Sequence, residues 1–223
     1  MESSALVVKR EYELELPSVV DGENSKQLLR FELGTATWGL QRTGQILWDG
    51  STVLCNHITQ CPGDFRDMRV VEIGCGCCAL PAHSAANSGA KSVLATDLEC
   101  EVPLLQSNVS SNAFARKIHV SPFDWSHESP LQLATLQDQE THIDVLICAD
   151  IVYELTLEAL VSFFDQLFTD FPDLIVYMSN TNRKHVQLFK RRLSKRFLFV
   201  ENFTFSNSHP NVVLWKITCG RNR

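Results

Sequence analysis

Short apolar runs alternate along the chain with segments whose apolar residues recur every three or four positions, and this alternation is its main structural signal. Arg69-Val70-Val71-Glu72-Ile73 predicts a buried strand that runs into a turn, Gly74-Cys75-Gly76. Ala79, Ala82, Ala85 and Ala86 then predict a helix of small residues packed closely on a sheet. The pattern continues with a strand over 92–96 and a helical segment marked by Val102, Leu105, Val109 and Ala113. A third strand covers His119 to Phe123, followed by Asp124-Trp125 and a polar stretch to Thr141. Ile143 to Asp150 predicts a fourth strand. Leu157, Leu160, Val161, Phe164, Leu167 and Phe168 form the stripe of an amphipathic helix. Leu174 to Met178 is a fifth strand, and Val186, Phe189, Leu193 and Phe197 mark another helix. Two β-rich runs, Leu198 to Phe205 and Val212 to Thr218, close the chain. The connection Ser206 to Asn211 is too short for a parallel crossover, so these two strands are expected to be antiparallel neighbours.

Upstream, Ala5 to Leu16 and Gln27 to Leu33 read as strands joined by a turn at Val20 to Asn24. Residues 34–44 are polar and turn-rich. In 45–58, Leu47, Val53, Leu54 and Ile58 fall on one helical face, and Cys61-Pro62-Gly63-Asp64 ends that segment. The expected organisation is an N-terminal β extension or cap over 1–33 and a single α/β domain over 34–223. Five strands with helical crossovers and a terminal antiparallel hairpin make a Rossmann-like sheet of seven strands. A dinucleotide-type sheet has no need of that hairpin.

Composition adds three exclusions. A formal net charge of −6 argues against a general binder of phosphate backbones. No apolar run approaches the roughly 18–20 residues of a membrane span. The start, Met1-Glu2-Ser3-Ser4, lacks the basic and apolar regions of a signal peptide, which leads to the expectation of an intracellular protein, nuclear or cytoplasmic. The eight cysteines are irregularly spaced, and Cys75, Cys77 and Cys78 crowd one turn, so reduced thiols are expected. Cys55-x-His57-x-x-x-Cys61 lacks a fourth ligand and a paired Cys-x-x-Cys, so no metal site is expected.

The glycine turn carries the candidate chemistry. Gly74 and Gly76 allow a sharp turn and close approach of a ligand to the backbone, at the carboxyl end of a strand where α/β sheets bind ligands. Gly74-x-Gly76-x-x-Ala79 satisfies a dinucleotide pattern, with Asp97 placed as a ribose acceptor 23 residues past Gly74. Glu72 adds a second reading, Glu-x-Gly-x-Gly, which resembles motif I of the seven-strand S-adenosylmethionine (SAM)-dependent methyltransferases. In that family this loop holds the methionine end of SAM and an acid after the second strand holds the ribose.

Trp48, Glu72 to Gly76, Asp97, Asp124-Trp125 and Asp150-Ile151-Val152-Tyr153 stand in an order that narrows the resemblance. The chain is similar to the protein-lysine methyltransferases of the methyltransferase-like 21 group, marked by Asp-x-x-Tyr after the fourth strand. One departure is the loop itself, Gly-Cys-Gly-Cys-Cys where relatives usually read Gly-Ala-Gly-Thr-Gly. The resemblance implies a class I SAM methyltransferase fold with SAM as cofactor. It implies cofactor contacts from Trp48, Glu72, Gly74, Cys75, Gly76, Asp97, Trp125 and Ala149. Asp124 would accept the adenine amine and Trp125 would cover the base. Asp150 would orient the substrate ammonium and help its deprotonation, and Tyr153 would wall the methyl-transfer channel.

The expected activity is methyl transfer to a lysine of a protein substrate, nucleic-acid-associated or chaperone-like, by a monomer that does not engage membranes. Two rivals stay open. An RNA or small-molecule methyltransferase of the amino-purine type would carry Asn-Pro-Pro-Tyr where Asp150-Ile151-Val152-Tyr153 stands. A non-catalytic binding module would be compatible with the altered loop, in which Cys78 replaces a glycine. Arg183, Lys184, Lys190, Arg191, Arg192, Lys195 and Arg196 place seven of the 20 basic residues in one predicted helix, either a solvated face or a dock for an acidic protein or RNA.

Overall fold

The computed structural model describes residues 10–17, 26–34, 40–136, 142–201 and 209–220. β1 (Arg10–Pro17) and β2 (Lys26–Leu33) pair antiparallel as a separate two-stranded sheet. The remaining strands are β3 (Arg69–Ile73), β4 (Ser92–Asp97), β5 (Ile118–Pro122), β6 (Val145–Ala149), β7 (Ile175–Thr181), β8 (Phe197–Glu201) and β9 (Val212–Cys219). They form a seven-stranded sheet in the order β5-β4-β3-β6-β7-β9-β8. The first five are parallel, and β9 runs antiparallel to both β7 and β8. The strand order reverses at β3, which puts the crevice for a ligand at its carboxyl end.

Helices α1 (Asp49–Gln60), α2 (Leu80–Asn87) and α3 (Val102–Ser110) share one face of the sheet; α4 (Pro130–Leu136), α5 (Leu157–Asp170) and α6 (Lys184–Leu193) share the other. The strands between them are buried on both sides, as a parallel sheet requires. Their two-residue period sorts side chains into two cores. Val70, Val93, Val145 and Ile147 meet Leu54, Ile58, Ala82 and Ala86. Val71, Leu94, Leu146 and Val176 meet Leu160, Phe164, Leu167 and Phe189.

The N-terminal hairpin is fastened over the back of the glycine loop. Leu16, Leu29 and Phe31 pack with Cys55, Cys77, Cys78 and Leu80. Phe31 meets the edge of His83, whose complete burial pushes its imidazole down to about 3. Two asparagines, four residues apart, then treat the outer edge of β2 as a missing strand would. Asn112 accepts from the Arg30 N–H and donates to the Arg30 carbonyl. Asn108 does the same at Glu32 and also donates to the Cys77 carbonyl at 2.8 Å. Each side-chain amide thus stands in for a peptide group on alternate residues of the strand, satisfying backbone groups that would otherwise lie unpaired.

Several boundaries differ from expectation. Leu47 lies outside α1, which starts at Asp49 behind an extended Trp48 (φ −102°, ψ 149°). The polar stretch after Trp125 contains α4, a helix of seven residues that buries only Leu133 and Ala134 among its apolar groups besides Pro130. So short a stripe leaves little periodic signal. Phe197 opens β8 instead of closing α6, and stacks on Phe168. The basic run is therefore not one helix: Arg183 caps α6, and Lys195 and Arg196 follow it. The turn at 20–24, residues 5–9 of the first run and residues 202–205 of the penultimate one lie outside the described residues.

Candidate active site

The loop after β3 is shaped by three residues with left-handed backbone: Gly74 (φ +62°), Gly76 (φ +64°) and Ala79 (φ +43°). At Gly76 a Cβ would lie 2.9 Å from the Gly44 carbonyl oxygen, the same oxygen that accepts the Cys77 N–H at 2.6 Å. The segment around Gly44 is thereby laid on top of the loop, and glycine is required where the two backbones cross. At Gly74 a Cβ would reach Ile151 Cγ2 at 2.6 Å and the Trp125 ring at 3.2 Å. That position keeps open the floor of a cavity.

Three acids surround the loop, and each is bound to backbone amides. Asp97 Oδ2 accepts the Gly76 N–H at 2.7 Å and Oδ1 the Leu98 N–H at 2.8 Å, so the end of β4 holds the glycine turn in place. Burial raises its carboxyl above the ordinary range, while those two amides pull it back. Glu72 Oε2 accepts the Ala82 N–H in the first turn of α2 at 2.8 Å. It is 1% exposed, and burial pushes its carboxyl well above the usual range, the Asp97 charge pushing the same way and the Ala82 amide opposing. Asp150 follows β6 with φ +53°, a conformation Asp tolerates better than most residues. Its Oδ2 accepts the Gly50 N–H at the start of α1 at 2.8 Å, and its Oδ1 accepts the Thr181 N–H at the end of β7 at 2.6 Å. The carboxylate therefore ties three elements together. A Cβ at Gly50 would lie 2.3 Å from Asp150 Oδ2, which explains the glycine.

A cavity of about 330 Å³ opens at the carboxyl ends of β3 to β6. It brings together Trp48, Gly74, Cys75, Gly76, Asp97, Asp124, Trp125, Ala149 and Tyr153 from the sequence reading. Glu72 and Asp150 are not on its wall; they brace it from behind. Trp48 is held by its indole N–H, which donates to the Thr43 carbonyl at 2.9 Å, and the Arg183 guanidinium lies 5.6 Å from the ring centroid. The buried Trp125 indole N–H has no hydrogen-bond partner among the described residues. It is the Cζ3–Cη2 edge of the ring that faces the cavity floor at Gly74. Burial raises the Tyr153 phenol, while the Thr43 side chain opposes, so Tyr153 is a neutral hydroxyl at neutral pH.

The sequence reading did not single out Ile46, Ile151, Leu155 or Thr156 on the wall, nor Arg183 over Trp48. The available signal was topological. Ile151, Leu155 and Arg183 all follow the carboxyl ends of parallel strands, where this architecture places ligand contacts. Cys78, at the altered position of the loop, also lines the cavity, and its sulfur lies 3.8 Å from that of Cys77. Burial keeps the Cys75 thiol protonated by pushing it well above its ordinary value.

The cavity walls suit SAM in three respects: a glycine floor that a Cβ would fill, a carboxylate beside it, and the aromatic side chains of Trp48 and Trp125 on the wall. Comparison with known proteins agrees. The family described as Lysine methyltransferase matches residues 29–197. Protein-lysine N-methyltransferase EFM3 of Chaetomium thermophilum is 28% identical over 151 residues, 63% of this chain and 43% of that protein. Protein N-lysine methyltransferase METTL21A of Danio rerio is 29% identical over 165 residues, 72% of this chain and 71% of that protein. The chain thus spans less than half the length of the first relative and somewhat over two thirds of the second. Among solved structures, the METTL16 MTase domain superimposes with a TM-score of 0.60 at 13% identity, covering 79% of this chain and 71% of that one, a likeness of fold.

Proposed function

As the chain belongs to the lysine methyltransferase family, we propose that it is a SAM-dependent protein N-methyltransferase acting on a lysine side chain. The observation that carries the reading is the cavity itself, where the glycine turn, Asp97, Trp125 and Tyr153 converge at the switch point of the sheet. The turn at Gly74 to Gly76 holds the methionine end of SAM, Asp97 the ribose, and Asp124 and Trp125 the adenine, with Trp48 and Ala149 completing the wall. Each Asp97 oxygen accepts one amide and retains a second lone pair for a hydroxyl.

SAM supplies an electrophilic methyl group. The protein must supply a neutral lysine amine in line with it, because a lysine near its ordinary pKa of about 10.4 is mostly protonated. Ile46, Ile151 and Leu155 form an apolar wall that disfavours the ammonium and excludes water. Tyr153 limits the approach and positions the amine. The Asp150 negative charge, behind Tyr153, attracts the incoming ammonium while its oxygens keep their backbone bonds. Residues 1–33 serve as a cap and 34–223 as the catalytic unit. The stretches Leu28 to Glu32 and Leu214 to Ile217 look most like methyltransferase-like protein 22, which supports a nuclear, nucleic-acid-associated client.

Calorimetric titration with SAM tests the reading, with Asp97→Ala as the binding control. Incubation with tritiated SAM and cell lysate, followed by amino-acid analysis, then identifies the acceptor. Binding lost in the variant, with label recovered as methyl-lysine, is the expected result. Absence of SAM binding leaves the non-catalytic rival; label in RNA leaves the other.

A further inference from the structure

The fold gives the members of the basic run different surroundings. Arg192 pairs with Glu158 and Arg196 with Asp165, so these two cations fasten α6 and its exit to α5. Arg183 lies over Trp48 at the cavity. Lys184 and Arg191 instead line an open groove of about 920 Å³ beside α6, with His185, Leu157, Leu188 and Lys190, whose ammonium lies 5.3 Å from the Trp215 ring centroid. Lys184 and Arg191 are exposed and have no ion-pair partner among the described residues. His185 contributes a buried Nε2 without a hydrogen-bond partner among those residues.

The groove and the cavity have no lining residue in common, but two segments contribute to both. Tyr153 and Leu155 line the cavity while Glu154, between them, lines the groove; Arg183 covers Trp48 while the adjacent Lys184 lines the groove. The groove therefore has a polarity. Its acid, Glu154, stands at the junction where a lysine ammonium would enter, and its cations lie along the remainder. Leu157 and Leu188 offer apolar contact, and among the described residues the only aromatic ring that lines it is the His185 imidazole, with no Phe, Tyr or Trp to form a stacking platform for nucleobases. In a chain of net charge −6, so local a concentration of cations matches a short anionic partner better than a long phosphate backbone.

We propose that this groove docks a carboxylate-rich segment of the protein substrate, close in sequence to the lysine that enters the cavity. The inference rests on the methyl-transfer reading for its biological meaning, but the groove can be tested without SAM. Fluorescence anisotropy of fluorescein-labelled hexaglutamate against the full chain is expected to show binding that weakens with added salt. Lys184→Glu/Arg191→Glu should weaken it by roughly tenfold or more, while Lys195→Glu, outside the groove, should not. No binding by the native chain, equal weakening by Lys195→Glu, or tighter binding of an oligouridine probe overturns the proposal. Circular dichroism of the groove variant, with its SAM titration, separates docking from unfolding. If the native chain labels lysate proteins and the folded groove variant labels them equally, the dock is wrong and the enzyme stands. If the native chain neither binds SAM nor transfers label, the enzyme reading fails, and hexaglutamate binding alone decides whether the groove takes acids.

Discussion

Replacing Asp150 by asparagine isolates the role of one carboxylate with almost no change in volume. Asparagine tolerates the left-handed backbone at φ +53° as aspartate does, so the turn after β6 need not move. What changes is the bonding. Both carboxylate oxygens accept amides, from Thr181 at 2.6 Å and Gly50 at 2.8 Å. A side-chain amide can accept only one of them and must present its NH₂ to the other, leaving a buried donor facing a donor. A hydrogen bond to a charged group contributes about 1.5–3 kcal/mol, and an unsatisfied buried donor costs about 1–3. These describe overlapping parts of one loss, so the expected destabilisation is about 2–4 kcal/mol. For a chain of this length that lowers Tm by on the order of 5–15 °C. Differential scanning calorimetry measures it, and methyl transfer below the variant's Tm gives the second readout. A Tm within about 1 °C of the native protein would refute the bracing role. Loss of transfer with unchanged Tm would assign Asp150 to the substrate alone.

Gly74→Ala should retain the fold yet weaken SAM binding by roughly tenfold or more, since its Cβ intrudes on the cavity floor 2.6 Å from Ile151 and adds left-handed strain of about 1–2 kcal/mol; unchanged calorimetric affinity would place SAM elsewhere. Glu72→Gln tests the buried acid through pH. Because burial raises the folded pKa above its ordinary 4.5, the native state holds its proton to higher pH than the unfolded state, and stability falls as pH rises through that interval. Over about pH 5–8 the urea midpoint should change with pH less negatively in the glutamine variant than in the native chain, against a background to which Asp97 adds a slope of the same sign as Glu72 and the buried imidazoles of His83 and His57 one of opposite sign; identical slopes would contradict the assignment. Asn108→Ala removes bonds to both backbone groups of Glu32 and to the Cys77 carbonyl, and should cost about 2–4 kcal/mol in urea unfolding with earlier proteolysis within the hairpin. Cleavage and stability like those of the native chain would show the clamp to be dispensable.

The periodic elements were legible because their signals are local. Val70, Val71 and Ile73 before two glycines, and the stripe from Leu157 to Phe168, mark a strand and a helix whatever surrounds them. The antiparallel ending followed from a loop length, and β9 does insert between β7 and β8. The weakly periodic α4 was missed, and Phe197 was carried into a helix because an apolar residue four past Leu193 satisfies helical spacing even when it begins a strand. Of the site, the glycine turn, Asp97 and the two tryptophans were visible as residue types at consistent points of the α/β pattern.

By itself the sequence determined the order of strands and helices, the loop that must turn through positive φ, and the acids that follow the strands. Tertiary structure alone decided what those acids touch. Nothing local to Asp150 announces that its oxygens meet Gly50 and Thr181, 100 and 31 residues away. Nor does the basic run announce that Arg192 and Arg196 are paired while Lys184 and Arg191 face a groove lined by Glu154, the neighbour of Tyr153. Periodicity records which face of an element is buried. It carries no record of which distant amide, carboxylate or ring that face meets, and that pairing turns a set of candidate residues into a site.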